Sequence, residues 1–193
     1  MFEQELWKKL IDISPQEITV NSRAEYDPEK KQICVNVFNE KFIVDLEKQI
    51  IANPAREKIS PLLPLFLLHY LACAKDIPLN NTPASPHQLK GGIFFFRGAH
   101  ELPLNKVAEK FGNNPEKFLE RGEKLGGEKV KFGDAAVKLN LLPRVPVTFI
   151  IWKKDEEFES QVNLILDKSV EEQMNLDILF LGLLYAIEKM LEV

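Results

Sequence analysis

The residues best suited to chemistry in this chain are an arginine and a histidine that close an apolar run. Gly91 and Gly92 precede Ile93 and three phenylalanines, and Arg97 and His100 follow. An arginine binds a carboxylate or phosphate through two parallel hydrogen bonds, and a histidine carries a proton near neutral pH or serves as an axial ligand. We expect the run to form a buried strand that delivers Arg97 and His100 into one cavity, where they hold an anionic ligand.

A second group of candidate binding residues surrounds Arg144 and Trp152. Pro143 and Pro146 flank Arg144 and fix an extended entry into an apolar strand that ends at Trp152. An arginine on such a stiff segment suits ligand recognition, and a tryptophan at its far end suits stacking on a flat ligand. Asp155 follows in a charged turn and is a further candidate contact.

Structural and catalytic explanations compete with ligand binding at the first group. In a structural role, Arg97 pairs with a carboxylate and His100 caps the nearby turn. In a catalytic role, His100 exchanges a proton with one of three carboxylates. These are Asp155, Glu156 and Asp167.

The second group has structural alternatives of its own. The same three carboxylates offer Arg144 an ion pair. Trp152 lies at a strand end, where a tryptophan commonly packs on its own sheet. Acidic residues in a turn, such as Asp155, are usually solvated rather than catalytic.

Motifs for phosphate binding, covalent catalysis and metal binding are missing. Gly126 and Gly127 lack the spacing and the Lys-Ser/Thr ending of a P-loop, and no serine lies in a nucleophile elbow. Cys34 and Cys73 are too few for a disulfide framework, and we predict two buried free thiols without an activating basic neighbour. The three histidines are too far apart to predict a metal site. His69 lies in an apolar run and is expected to be a hydrogen-bonded core residue.

Composition and charge exclude several classes of partner. The formal net charge is −4, and lysines alternate with glutamates, so no basic patch for nucleic acid is predicted. The acidic N-terminal residues do not resemble a signal peptide, so we expect a cytoplasmic protein. The apolar stretches 61–74 and 176–187 fall short of the roughly 18 residues that indicate a membrane span.

The periodicity of apolar residues predicts an α+β fold, with an antiparallel or mixed β-sheet and helices packed on it. We expect one compact domain over 1–193, with an N-terminal helix and hairpin in 1–58 and the remaining elements in 59–193. Helices are predicted at 2–11, 61–74, 104–111, 115–125 and 175–191, strands at 33–37, 42–46, 130–132, 135–139, 147–152 and 162–166, and an irregular loop at 76–90.

Several glycine and proline patterns follow one another in a specific order, namely Gly91-Gly92 with Phe94 to Gly98, Phe111-Gly112, Leu125 to Gly127, Gly133 to Ala136, and Leu142 to Phe158. Their order and spacing resemble the family catalogued as domain of unknown function 3786, from anaerobic bacteria and archaea. The resemblance covers the chain from Leu62 onward. Some members carry an iron–sulphur cluster domain like those of corrinoid proteins, which implies a role near corrinoid or redox cofactors. This chain has no such cysteine cluster, so the cluster is dispensable here or supplied by a partner.

Three functions follow, in order of preference. The first is a non-catalytic binding module for an anionic or flat, cofactor-like ligand, with a corrinoid among the candidates and no cofactor specified by the sequence. Its cavity is bordered by the loop 76–90, with Arg97, His100 and Arg144 as polar contacts. The second is an accessory protein whose partner covers the apolar helix 176–187. The third is an enzyme that uses His100 and a carboxylate as acid and base.

Overall fold

The structure, a computed structural model, describes residues 2–192, which form eight α-helices and nine β-strands. In chain order these are α1 (Phe2–Asp12), α2 (Pro15–Ser22), β1 (Glu25–Asp27), β2 (Gln32–Val37), β3 (Glu40–Asp45), β4 (Ile50–Ala52), α3 (Leu63–Cys73), β5 (Pro83–Ala84), α4 (Gly92–Phe95), α5 (Leu104–Phe111), α6 (Pro115–Lys124), β6 (Glu128–Val130), β7 (Ala135–Leu142), β8 (Val145–Trp152), β9 (Gln161–Asp167), α7 (Val170–Gln173) and α8 (Leu176–Leu191). Single 3-10 turns lie at Pro86–Gln88 and Gly98–His100. The predicted α+β class is confirmed.

The first sheet contains β1 to β4 in sequence order, and all neighbouring strands are antiparallel. Its centre is the predicted hairpin of β2 and β3, in which the alternating residues Ile33, Val35 and Val37 are buried. At the turn, Phe38 adopts a left-handed conformation, and its amide donates to the carbonyl oxygen of Asn140 in β7 at 3.0 Å. This contact joins the N-terminal part of the chain to the second sheet.

The second sheet has the antiparallel order β5-β9-β8-β7-β6, and helices cover one of its faces. On this inner face, Val137, Phe149 and Leu164 are fully or almost fully buried. Gly122 of α6 lies so close to Val137 that a Cβ would approach its side chain to 2.5 Å. Gly182 also brings α8 close to β7, since a Cβ there would lie 3.2 Å from the side chain of Leu141. Small residues thus allow the helices to pack directly on the sheet.

The C-terminal helix α8 is the central helix of the fold. Asn175 caps it, because its side chain accepts a hydrogen bond from the amide of Ile178 at 3.0 Å. Leu179, Leu183 and Ala186 are buried within the chain itself, in one hydrophobic core that includes residues of both sheets. The predicted helix is confirmed, and the shared core makes the fold a single compact domain. Within residues 2–192, no helix combines the length and the apolar character needed to cross a membrane.

Two features differ from the sequence-based expectation. There are two sheets rather than one, and the run from Gly91 to His100 is not a buried strand. Gly91 is left-handed at φ 78°, and a Cβ on Gly92 would lie 2.0 Å from the carbonyl oxygen of Pro86. The chain therefore turns tightly against the Pro86–Gln88 turn and continues as the short helix α4. Only part of the apolar run is buried, and Phe94 is 80% exposed.

Candidate functional site

The candidate site is a groove on the outer face of the second sheet, opposite the helices. Lys138 of β7, Thr148 of β8 and Ile165 of β9 stand side by side in register across its floor, which Pro146 and Ile150 extend along β8. The groove encloses about 540 Å³, which lies in the range of roughly 300–1,000 Å³ found for small-molecule sites. A sheet face that is not covered by helices is usually polar, so this apolar floor requires an explanation.

One wall of the groove is the loop between β6 and β7, which curls over the floor. Gly133 adopts φ 55°, and a Cβ there would lie 2.7 Å from the side chain of Ile150. The amide of Asp134 donates to the carbonyl oxygen of Ile151 at 3.0 Å and holds the loop against β8. Phe132 therefore stands at the edge of the groove, where it remains 59% exposed.

The opposite wall comes from the irregular loop 76–90, which contributes Leu79 and Pro83. The carboxylate of Asp167, at the end of β9, accepts a hydrogen bond from the amide of Asn80 at 3.1 Å. The short pairing of β5 with β9 fixes the loop at the same end. The sequence predicts this loop as the border of a cavity that holds Arg97, His100 and Arg144, whereas the groove it lines here contains none of these residues.

Two charged side chains of opposite sign line the groove. Burial disfavours the charged form of Asp167, but hydrogen bonds from Ser169 and from amides of the loop 76–90 outweigh this effect and hold its pKa below the usual value. Lys138 forms no ion pair with any residue in the range 2–192, including its cross-strand neighbour Glu128. The charge of Asp167 is thus compensated by the protein, whereas the ammonium of Lys138 is available to a ligand.

Of the residues singled out in the sequence, Trp152 lies beside this groove. It occupies the next outward position of β8 after Ile150, is 48% exposed, and its ring is close to Gly133. Asp155 has a different environment, because its carboxylate accepts hydrogen bonds from the backbone amides of Glu157 (2.9 Å) and Phe158 (2.7 Å). It shapes the turn between β8 and β9.

Arg144 is 5% exposed and is committed to hydrogen bonds inside the protein. It donates to the carbonyl oxygens of Val20 (3.0 Å), Asn21 (2.6 Å) and Ile77 (3.0 Å), and to the carboxylate of Asp76. Four of its five N–H groups are used in this way. Arg144 therefore joins the end of α2 to the segment after α3, and it does not line the groove.

Arg97 and His100 lie on a different part of the surface. The ring of His100 stacks on Phe95 at 4.4 Å and meets Phe180 of α8 edge-on at 5.2 Å. Arg97 is exposed, with its guanidinium 5.9 Å from the ring centre of Phe94. The structure does not bring these two residues together with Arg144 and Trp152 at one site.

The acid and base considered for His100 are not assembled either. Within residues 2–192, no hydrogen bond or ion pair connects His100 to a carboxylate. Asp155 and Asp167, two of the three carboxylates considered, are held by backbone amides instead.

Sequence reasoning missed the residues that shape the groove, chiefly Phe132 and Lys138. The signal for the groove was present in β8, which is apolar at almost every position although only one of its faces is covered by helices. The signal for Lys138 was its position as a lone cation among the apolar residues of β7. Neither signal shows which loops become the walls.

The sequence matches the family model described as Domain of unknown function (DUF3786) over residues 14–186, and the chain belongs to this family. The family resemblance is thus confirmed, and the match begins well before Leu62. No curated protein matches the chain, and no solved structure does. The geometry of the groove is therefore the basis for any proposal about function.

Proposed function

We propose that the protein is a non-catalytic binding module whose outer sheet groove takes a flat, largely apolar ligand that carries an anionic group. The observation that carries this proposal is the largely apolar floor between two walls, together with the ammonium of Lys138, which has no ion-pair partner among residues 2–192. Such a combination of apolar surface and one placed charge is typical of small-molecule sites.

The floor explains why the ligand should be flat. Outward side chains of neighbouring strands form a nearly planar surface, and Ile150 and Ile165 cover its middle. Phe132 stands over one edge, and Trp152 extends the surface beyond it. Because Ile150 is only 7% exposed, a ring system on this floor would bury one face chiefly on Ile165 and place its edge against the aromatic side chains. Each 100 Å² of apolar surface buried in this way contributes about 2.5 kcal/mol before the costs of association.

The charges explain the orientation of the ligand. Lys138 is on β7 and Asp167 is on β9, two strands away, or about 10 Å at the usual strand spacing. The carboxylate of Asp167 already accepts hydrogen bonds from the protein and cannot pair with an anion, whereas the ammonium of Lys138 can. We therefore expect the anionic group over β7 and the apolar end of the ligand towards the loop 76–90.

Flavin fluorescence anisotropy tests both parts of the proposal. FMN is flat and carries a phosphate, and riboflavin has the same ring system without the phosphate. We expect FMN to bind more tightly, and Lys138→Gln to weaken FMN binding about fivefold while riboflavin binding changes little, since a partly exposed ion pair contributes up to about 1 kcal/mol. Lys117→Gln is the matched control, because Lys117 is exposed on α6, which packs on the inner face. Equal binding of the two flavins, or equal effects of the two substitutions, would contradict the assignment of Lys138.

The natural ligand can be identified by native mass spectrometry after incubation with a small-molecule extract of an anaerobe, with hydroxocobalamin tested separately as a corrinoid. A compound that binds the wild-type protein and not the Thr148→Trp variant, in which the groove is filled, belongs to this site. Retention of the compound by the Thr148→Trp variant places it elsewhere, and capture of a protein instead of a compound favours an interaction role for the sheet face.

A further inference from the structure

A second cleft, independent of the sheet groove, lies between α1, α2, α3 and α7. It encloses about 600 Å³, and Lys9, His69 and Cys73 line it. His69 and Cys73 are four residues apart on α3, so their side chains lie on the same face of that helix. The cleft thus combines a thiol, an imidazole and an ammonium, none of which the proposed function uses.

The thiol of Cys73 is in contact with a cation. The Nζ atom of Lys9 lies 3.1 Å from the Sγ atom of Cys73, although the two residues are 64 positions apart. The folded chain therefore places beside Cys73 a basic group that is far from it in the sequence. The second thiol, Cys34, is partly exposed on β2 of the first sheet and forms no such contact within residues 2–192.

The imidazole of His69 is the second unusual group of the cleft. Its Nδ1 atom is buried and has no hydrogen-bond partner among residues 2–192, contrary to the expectation of a hydrogen-bonded core histidine. Burial and the nearby charge of Lys9 both lower the pKa of His69, which keeps the ring neutral at physiological pH. His69 therefore contributes a neutral, partly exposed ring to the wall of the cleft.

We propose that Cys73 is a site of thiol–disulfide exchange, at which the cleft receives a small zwitterionic disulfide and Cys73 forms a mixed disulfide with half of it. The Cys73 thiolate attacks one sulfur of the disulfide, the S–S bond of the ligand breaks, and the other half leaves as a thiolate. The proton of Cys73 passes to solvent. The ammonium of Lys9 is the counter-charge of the attacking thiolate.

The charges around the cleft favour a zwitterionic ligand over a neutral one. Glu17 of α2 and Glu171 of α7 line the cleft together with Lys9 and Lys75. Lys75 is already paired with Glu172 at 2.9 Å, so the ammonium that faces the thiol belongs to Lys9. Glu171 accepts a hydrogen bond from the amide of Lys90 at 2.5 Å. Glu17 and Lys9 are therefore the lining charges that are bonded to neither an opposite charge nor a backbone amide among residues 2–192. One carboxylate and one ammonium complement a peptide-like disulfide that carries both signs of charge.

The test compares the two cysteines of this chain with glutathione disulfide as the probe and intact mass as the readout. The Cys34→Ser variant reports on Cys73, and the Cys73→Ser variant reports on Cys34. We expect Cys73 to form the glutathione adduct roughly tenfold faster than Cys34, because among residues 2–192 only Cys73 has an ammonium in contact with its sulfur to stabilise the attacking thiolate. Equal rates, or faster reaction of Cys34, would overturn the proposal.

The role of Lys9 is tested in the Cys34→Ser background. Lys9→Met should slow adduct formation roughly threefold and Lys9→Arg should restore it, since a partly exposed ion pair is screened by water. An unchanged rate in the Lys9→Met variant would show that the contact with Lys9 does not promote the reaction of Cys73. Hydroxyethyl disulfide, a neutral probe, should show a smaller preference for Cys73 than glutathione disulfide does, and an equal preference would contradict recognition of the zwitterion.

Discussion

Phe149 and Ile150 are neighbours in β8 that point to opposite faces of the same sheet. Phe149 lies on the inner face and is fully buried, between the strands β7 and β9 on which α6 and α5 pack. Ile150 lies on the outer face, where the loop at Gly133 packs against it and the groove begins beside it. Along β8 both faces carry mostly apolar side chains, but helices pack on only one face of the sheet. The inner face therefore serves stability, and the outer face is available for a ligand.

The largest effect is expected for an inner-face substitution. Phe149→Ala removes a fully buried ring and leaves a cavity under the helices, which should lower the free energy of unfolding by about 3–5 kcal/mol. Chemical denaturation measures this loss. If the free energy of unfolding falls no further than for the substitution of an exposed residue, the helices do not pack on this face.

Arg144 should give the next largest effect. Arg144→Met removes the buried charged donor that the carbonyl oxygens of Val20, Asn21 and Ile77 share, at a cost of about 3 kcal/mol. Arg144→Lys should recover only part of this, because one ammonium cannot reproduce the fork of the guanidinium. If Arg144→Met leaves stability unchanged and abolishes ligand binding, Arg144 belongs to the site after all.

Asp167 links the outer face to the pH dependence of stability. Its folded-state pKa is lowered, so its charge stabilises the fold above the unfolded pKa of about 4, and this contribution disappears as the pH falls through the folded pKa. Asp167→Asn should therefore destabilise the protein at pH 7 and lose this effect in acid. Urea unfolding at several pH values measures the difference, and a pH-independent difference would exclude the charge as its cause.

The smallest change in stability is expected at Phe132, together with a clear change in binding. Phe132→Ala should alter the free energy of unfolding by about 0.5 kcal/mol or less, because the ring is mostly exposed. FMN binding should weaken, since one wall of the groove is lost. Phe158→Ala is the matched control, because Phe158 is equally exposed but does not line the groove. Equal effects of both substitutions on binding would contradict this location of the site.

Much of the fold could be predicted from local patterns. The helices at 104–111 and 176–191, with Asn175 as a cap, follow from apolar spacing and capping chemistry. The hairpin of β2 and β3 follows from strict alternation. The run at 91–100 was misjudged because three successive phenylalanines suit a buried strand or a helical turn, and only the close packing of Gly92 on Pro86 decides between them.

The candidate site was less predictable, because it depends on contacts between distant residues. Arg144 and Trp152 were recognised as unusual, but their side chains have different surroundings at opposite ends of β8. An arginine looks the same in a sequence whether it meets a ligand or three backbone carbonyls. The contact of Lys9 with Cys73 joins two helices that are far apart in the sequence, so no local sequence pattern reveals it.

The most direct test of the groove is the change in backbone amide NMR signals when FMN is added up to about 1 mM, a concentration that half-saturates even a complex of only about 4 kcal/mol. We predict shifts at Lys138, Thr148, Ile150 and Ile165, on the outer face of three adjacent strands. Shifts confined to the surroundings of Arg97 and His100, or no shifts at all, would contradict the account.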